Sequence, residues 1–143
     1  MSTPPHIEAR RLITCWPSLF RPAEGRRVDS RALFERAKNP RTYANKDDVG
    51  RWSGGVFHGD YRSLSRFDRG EWLVLDFDLA TTRRRVVEAF VGLRGMAHTT
   101  WTSTPENPRW RVAVVLSRAV TRNEHDRVWR AGASMAERGR LTP

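Results

Sequence analysis

The 143-residue chain is long enough to bury one hydrophobic core, although only 38% of its residues are apolar. No apolar run approaches the ~20 residues of a membrane-spanning helix, and the first residues lack the basic-then-apolar pattern of a signal peptide. We therefore expect a cytoplasmic protein without a membrane partner. Cys15 is the only cysteine, which excludes an internal disulfide and a cysteine-rich zinc site.

The formal net charge is +10, and the basic residues are arginines except for Lys38 and Lys46. Because a guanidinium can hold a phosphate through two parallel hydrogen bonds, this surplus favours a nucleic acid or a nucleotide as the partner. A genome rich in arginine codons would raise the arginine content without any such site. Charge alone leaves both interpretations open.

The chain is predicted to consist of a flexible leader at residues 1–10 and a single domain at residues 11–143. The first predicted strand runs from Arg11 to Trp16 and stops at a proline. Apolar residues at helical spacing predict a helix over residues 30–38. Residues 41–70 lack regular periodicity but contain Trp, Tyr and Phe, which predicts an ordered loop that helps to form a site.

Apolar periodicity after this loop predicts the order strand, helix, strand, strand, helix. These elements are a strand at 72–78, a helix at 81–93, strands at 96–102 and 109–116, and a helix at 121–136. The order is that of an α+β fold with a ferredoxin-like or RNA-recognition-motif-like βαββα core, preceded by a strand-helix-loop extension. The last strand of that fold is missing, so either Arg11 to Trp16 supplies it or the chain is a fragment.

The strand at 72–78 ends in two carboxylates, Asp76 and Asp78, which a period of two places on the same face. Neighbouring carboxylates repel each other unless a cation, an arginine or water compensates. Since Mg²⁺ prefers carboxylate oxygens, the two residues are candidate metal ligands. In the alternative interpretation the strand simply enters a loop, with Asp78 exposed or helping to start the next helix.

Arg109 and Arg111 alternate at the start of a later strand, so their guanidinium groups share one face and are candidate phosphate ligands. The alternative is that they neutralise Asp76 and Asp78 in a buried ion network. His98 lies on the preceding strand. It is either a base or substrate contact, or a hydrogen-bonded structural residue.

Three segments resemble the primase-polymerase domains of plasmid, phage and mobile-element replication proteins, which belong to the archaeo-eukaryotic primase superfamily. They are Leu75 to Asp78, His98 to Arg111 with its Thr-Pro-Glu-Asn-Pro-Arg-Trp-Arg string, and Leu116 to Thr121. Asn45 to Asp48 and Trp52-Ser53 also resemble the segment before that family's first acidic motif. The resemblance covers most of the chain.

The resemblance implies a metal-dependent nucleotidyltransferase that extends a nucleic-acid strand from nucleoside triphosphates on a DNA template. It implies that Asp76 and Asp78 are catalytic and hold Mg²⁺ or Mn²⁺. A helicase or an initiator protein is the implied partner. The residues that would contact the nucleotide or its phosphates are Arg109, Arg111, Ser103 and Lys46, with His98 as an accessory residue.

Two departures from the family pattern bear on activity. The family commonly has a histidine at the position of Ser103, and its third carboxylate has no counterpart here. They imply that this chain by itself is inactive unless further sequence completes the site. The alternative function is a non-catalytic, basic nucleic-acid-binding module that keeps the fold. A structural or protein-interaction domain is the third hypothesis.

Overall fold

The computed structural model describes residues 11–17, 21, 23–59 and 61–138, and the predicted leader at residues 1–10 lies outside them. Within the described residues the chain forms two antiparallel sheets and three α-helices, which confirms the α+β class. None of these helices is long and apolar enough to cross a membrane.

The first sheet has three strands, with the N-terminal strand in its centre. Its strands are β1 (Leu12–Trp16), β2 (Arg26–Asp29) and β3 (Arg51–Ser53), in the order β2-β1-β3. Helix α1 (Ser30–Lys38) follows β2 directly and begins where the Asp29 side chain accepts a hydrogen bond from the Arg31 N–H. The predicted first strand and first helix are therefore confirmed, whereas β2 was not predicted.

The second sheet has four strands and carries the other two helices. Its elements in chain order are β4 (Gly55–Phe57), β5 (Phe67–Phe77), α2 (Arg83–Ala89), β6 (Gly95–Thr99), β7 (Trp110–Val120) and α3 (Arg122–Arg138). From β5 onward this is the predicted βαββα order, and β6 and β7 pair with each other as an antiparallel hairpin. The spatial order of the strands is β4-β5-β7-β6.

The edge position beside β5 is occupied by β4, which precedes the core in the chain. The hypothesis that Arg11 to Trp16 supplies the last strand is therefore wrong, because β1 belongs to the other sheet. The prediction of one loop over residues 41–70 is also wrong in part, because β3, β4 and the start of β5 lie there.

Gly54 connects β3 to β4 where a Cβ atom would lie only 2.7 Å from the Trp72 Cβ.

Strand β5 separates two hydrophobic clusters. Leu73, Leu75 and Phe77 pack with Val86 of α2 and with residues of α3 on one face of the sheet. On the other face, Trp72 packs with residues of β1 and α1. The alternation of β5 therefore places Asp76 on the face of Trp72, which is the face opposite α2 and α3.

Candidate functional site

Three polar side chains from three neighbouring strands lie in one row across the four-stranded sheet. Asp76 of β5 is in register with Arg111 of β7, and Arg111 is in register with His98 of β6. Residues in register on antiparallel strands share a face of the sheet, so the three side chains are neighbours. Trp52 of β3 lies beside the row, with its ring centre 5.6 Å from the Arg111 guanidinium carbon and 6.0 Å from the His98 ring centre.

Arg111 binds both carboxylate oxygens of Asp76. Its Nε donates to Oδ1 at 2.5 Å and its Nη2 donates to Oδ2 at 2.7 Å. The Asp76 side chain is 43% exposed and the Arg111 side chain 28% exposed, so water still reaches the pair. The hydrogen bond to Asp76 raises the pKa of Arg111, and the negative charge of Asp78 acts in the same direction. Asp76 and Arg111 therefore neutralise each other, as the alternative interpretation of the sequence proposed for them.

Asp78 differs from Asp76 in its surroundings. Strand β5 ends at Phe77, and Asp78 follows it with an exposed side chain. In the described part of the chain, Asp78 makes no hydrogen bond and no salt bridge. Its carboxylate is therefore accessible to a ligand from solvent.

The two carboxylates fit a hard divalent cation only under one condition. Asp78 is free to bind one, but both oxygens of Asp76 are held by Arg111, which would have to release at least one of them. Nowhere in the described residues do three or more His, Cys, Asp or Glu side chains cluster as a metal site. A cation here would therefore need water or substrate oxygens to complete its shell.

His98 presents an unused hydrogen-bond acceptor. Its Nδ1 lies 2.8 Å from the carbonyl oxygen of Thr99, and because a carbonyl can only accept, Nδ1 carries the hydrogen. The other nitrogen, Nε2, is then an acceptor, and it is buried without a partner among the described residues. Burial lowers the pKa of His98, and the charge of Arg111 acts in the same direction, which keeps the imidazole neutral near pH 7.

The connection between β6 and β7 is held by Ser103 and Arg109. The Ser103 hydroxyl accepts a hydrogen bond from the Arg109 backbone N–H at 3.0 Å, and Arg109 Nη1 donates to the Thr102 hydroxyl at 3.3 Å. Arg109 precedes the first residue of β7, and its guanidinium pairs with neither Asp76 nor Asp78. The predicted ion network therefore includes Arg111 but not Arg109.

Lys46 and Trp52 lie on the segment that leads into the site. Lys46 is exposed in a single 3₁₀ turn, Lys46–Asp48, and no hydrogen bond or ion pair joins it to Asp76, Arg111 or His98. Trp52, in contrast, touches two of the three residues of the row. The sequence analysis counted Trp52 among the aromatic residues of the predicted site-forming loop and in the family resemblance, but it did not place Trp52 beside Arg111 and His98.

Comparison with known proteins assigns the chain to a family. The family model of the VapE N-terminal domain matches residues 22–137, a range that includes Asp76, Arg111 and His98. No curated protein and no solved structure matches the chain. The matched family is found in VapE-like, replication-associated proteins of phages and plasmids, which agrees with the mobile-element context of the sequence resemblance. The match covers most of the chain, and the chain belongs to the VapE N-terminal domain family.

Proposed function

We propose that this domain acts in the replication of mobile-element DNA as a metal-dependent nucleotidyltransferase of the primase-polymerase type. The observation that carries the proposal is the row of Asp76, Arg111 and His98 at the end of the sheet where Asp78 is exposed. It combines acids for a cation and a guanidinium for phosphate with a neutral acceptor, His98 Nε2, buried beside them. The VapE family and the net charge of +10 support a DNA template and nucleoside triphosphates as substrates.

In this proposal Asp76 and Asp78 hold Mg²⁺ or Mn²⁺. The metal would neutralise negative charge on the triphosphate and orient the attacking hydroxyl. Arg111 exchanges part of its contact with Asp76 for a phosphate oxygen when the nucleotide binds, because a guanidinium can serve either anion. The ion pair with Asp76 therefore holds the Arg111 guanidinium in position when no substrate is bound.

The remaining predicted contacts receive narrower roles. His98 Nε2 accepts a hydrogen bond from a hydroxyl or N–H group of the substrate, since it has no partner of its own in the described residues. Arg109 and Ser103 position the loop before β7, and Arg109 adds positive charge there. Lys46 attracts the template from its exposed turn. A helicase or an initiator protein acts beside the domain.

A second candidate function is a non-catalytic nucleic-acid-binding module. The specific observation in its favour is that Arg111 already occupies both oxygens of Asp76, which makes the pair a structural cross-link between β5 and β7. In that case the basic surface alone binds nucleic acid, and divalent cations are not needed.

The decisive experiment measures primer synthesis and extension with Mg²⁺ or Mn²⁺, using both this chain and the longest natural protein that contains it. Asp76→Ala and Asp78→Asn are compared with Glu137→Gln, which changes an exposed acid on α3. In the longer protein we expect synthesis by the wild type and by Glu137→Gln, and synthesis at background in the other two variants. Unchanged synthesis in Asp76→Ala would rule out the catalytic proposal. Nucleic-acid binding that falls steeply with salt, but ignores divalent cations and both Asp variants, would favour the second candidate.

A further inference from the structure

A concave site lies on the same face of the four-stranded sheet as Asp76, but at the other end of the strands. It is a groove of about 510 Å³ between α1 and the sheet. Trp72 lines it and lies four positions from Asp76 along strand β5, which corresponds to ~13 Å. The volume lies in the range of sites that hold small ligands. The groove is therefore separate from the row of Asp76, Arg111 and His98.

Positively charged side chains predominate around the groove. The positively charged lining residues are Arg11, Arg31, Lys38 and Arg94. The negatively charged ones are Asp29 and Glu35. Lys38 lies 3.0 Å from Glu35, so these two neutralise each other. The Arg31 guanidinium has no hydrogen bond or ion pair within the described ranges of the chain. The groove thus keeps a net positive charge, which favours an anionic ligand.

Trp72, which lines the apolar part of the groove, carries an unsatisfied donor. The residue is 3% exposed, and its indole Nε1–H is buried without an acceptor in the described residues. A buried N–H without an acceptor is unfavourable, so a shift of the Trp72 ring that let a ligand acceptor reach this N–H would gain a hydrogen bond. The Phe34 ring, centred 6.1 Å from the Trp72 ring, supplies an apolar wall beside it.

We propose that this groove binds one nucleotide unit of single-stranded nucleic acid. Arg31 and Arg11 bind the phosphate, Phe34 contacts the base, and the Trp72 Nε1–H donates a hydrogen bond to an acceptor of the nucleotide. A planar base with ring nitrogens and carbonyl oxygens, joined to a phosphate, matches a groove that offers an apolar wall, one buried donor and arginines. The inference extends the proposed nucleic-acid partner to a second site and does not depend on catalysis at Asp76.

The test is the affinity of the intact chain for a labelled oligothymidylate, measured by fluorescence anisotropy over a range of salt concentrations. Arg31→Gln and Trp72→Phe change the groove, and the latter keeps an aromatic ring while removing the N–H. Their matched controls are Arg130→Gln and Trp129→Phe, both on α3 at the opposite face of the sheet. We expect each groove variant to weaken binding about fivefold, as loss of one hydrogen-bonded contact does, and each control to weaken it less than about twofold.

Arg31→Gln should also lower the steepness of the salt dependence by about one ion, because one phosphate contact is lost. Displacement of the oligonucleotide by free thymidine triphosphate from the wild type would show that the groove also accepts single nucleotides. If free thymidine triphosphate does not displace the oligonucleotide, the groove binds a nucleotide only as part of a strand. Equal affinities of the groove variants and their controls would overturn the proposal.

Two further variants keep the test decisive. If Trp72→Phe fails to fold, as judged by circular dichroism, the variants Arg31→Gln, at an exposed residue, and Arg11→Gln, at a half-buried one, decide the outcome. Asp76→Ala separates this proposal from the catalytic one, because it should abolish primer synthesis while leaving oligonucleotide binding at the groove. Loss of binding in Asp76→Ala but not in Arg31→Gln would place the nucleic-acid site at the row and contradict the groove.

Discussion

Arg111 of β7 holds both carboxylate oxygens of Asp76 of β5, and the same guanidinium lies over the ring of Trp52. One side chain thus joins the two central strands of the four-stranded sheet to β3 of the other sheet. The pair is partly exposed, so its contribution to stability lies between that of a surface salt bridge and that of a buried one. Its consequences for stability and for metal binding can be measured separately.

The coupling between the two residues is the first prediction. In a double-mutant cycle of Asp76→Asn and Arg111→Gln, we expect a coupling free energy of about 1 kcal/mol, because solvent screens part of the attraction. Urea unfolding of the wild type, the two single variants and the double variant measures it. Strictly additive changes in the free energy of unfolding would show that the pair is not energetically coupled.

Arg111 should also compete with divalent cations. Replacing it by Gln releases both oxygens of Asp76 and removes a positive charge, so we expect Mn²⁺ to bind about fivefold more tightly than in the wild type. Calorimetry or electron paramagnetic resonance of bound Mn²⁺ provides the measurement. Arg130→Gln serves as the control for a general loss of charge, and adding Asp78→Asn to Arg111→Gln should remove the gain. An unchanged Mn²⁺ affinity in Arg111→Gln would contradict a metal site at Asp76.

Stability should fall when the pH drops below the ordinary range of histidine. Burial lowers the pKa of both His98 and His125 below the ordinary histidine value of 6.5. Below pH 6.5 these two side chains bind protons more readily in the unfolded chain than in the folded chain. Their contribution to stability is therefore fully present above pH 6.5 and is lost as the pH falls toward the lower pKa values of the folded state. Urea unfolding at about pH 7.5 and about pH 5.5 measures the loss.

The two variants His98→Gln and His125→Gln identify the source of this loss. Each should reduce the difference between the two pH values, and the double variant should reduce it further. A double variant that loses as much stability as the wild type would assign the effect to other groups.

The N-terminus of α3 carries a reciprocal cap that lowers the pKa of Glu124 to about 2. The first cause is the hydrogen bond from Arg118, and the second is the bond from the Thr121 backbone N–H, which lies 2.9 Å from the carboxylate. Stability from this group is present above pH 4.5 and is lost as the pH falls toward about 2. Titration of Glu124 by NMR should show the low pKa, and Arg118→Gln should raise it. A Glu124 pKa that does not respond to Arg118→Gln would exclude this cause.

Gly95 permits the close pairing of β6 with β7. A Cβ atom at this position would lie 2.1 Å from the carbonyl oxygen of Ala113, a backbone atom that cannot move without breaking the ladder. We expect Gly95→Ala to lower the free energy of unfolding by about 2 kcal/mol. Gly50→Ala is the control, because its Cβ would lie 3.4 Å from the nearest atom. Equal stability of the two variants in urea unfolding would contradict the close approach.

Local features of the sequence were sufficient for several elements. Helix α1 runs from Ser30 to Lys38 as predicted, because its apolar spacing and its Asp29 cap act within a few neighbouring residues. The βαββα order was predictable for the same reason. Helix α2 was predicted too long, since it ends at Ala89 rather than at Leu93. Strands β3 and β4 have three residues each, which is too short for a period of two to be recognised.

The candidate site shows the same division. The sequence identified Asp76, Arg111 and His98 as candidates, and it offered neutralisation of the two aspartates by both arginines as an alternative, because residue type and alternation are local properties. It could not decide that Arg111 binds Asp76 while Arg109 binds Thr102, which depends on where β7 begins and on its register with β5.

By itself, the sequence determined the class of fold, the basic character of the chain and the residue types available for chemistry. The tertiary structure decided that β4 takes the edge position beside β5, that Trp52 stands next to Arg111, and that a groove forms between α1 and Trp72. The physical reason is distance along the chain. Such contacts join segments whose pairing is chosen by the packing of the whole core, whereas helix caps and periodicity are set by residues within one or two turns.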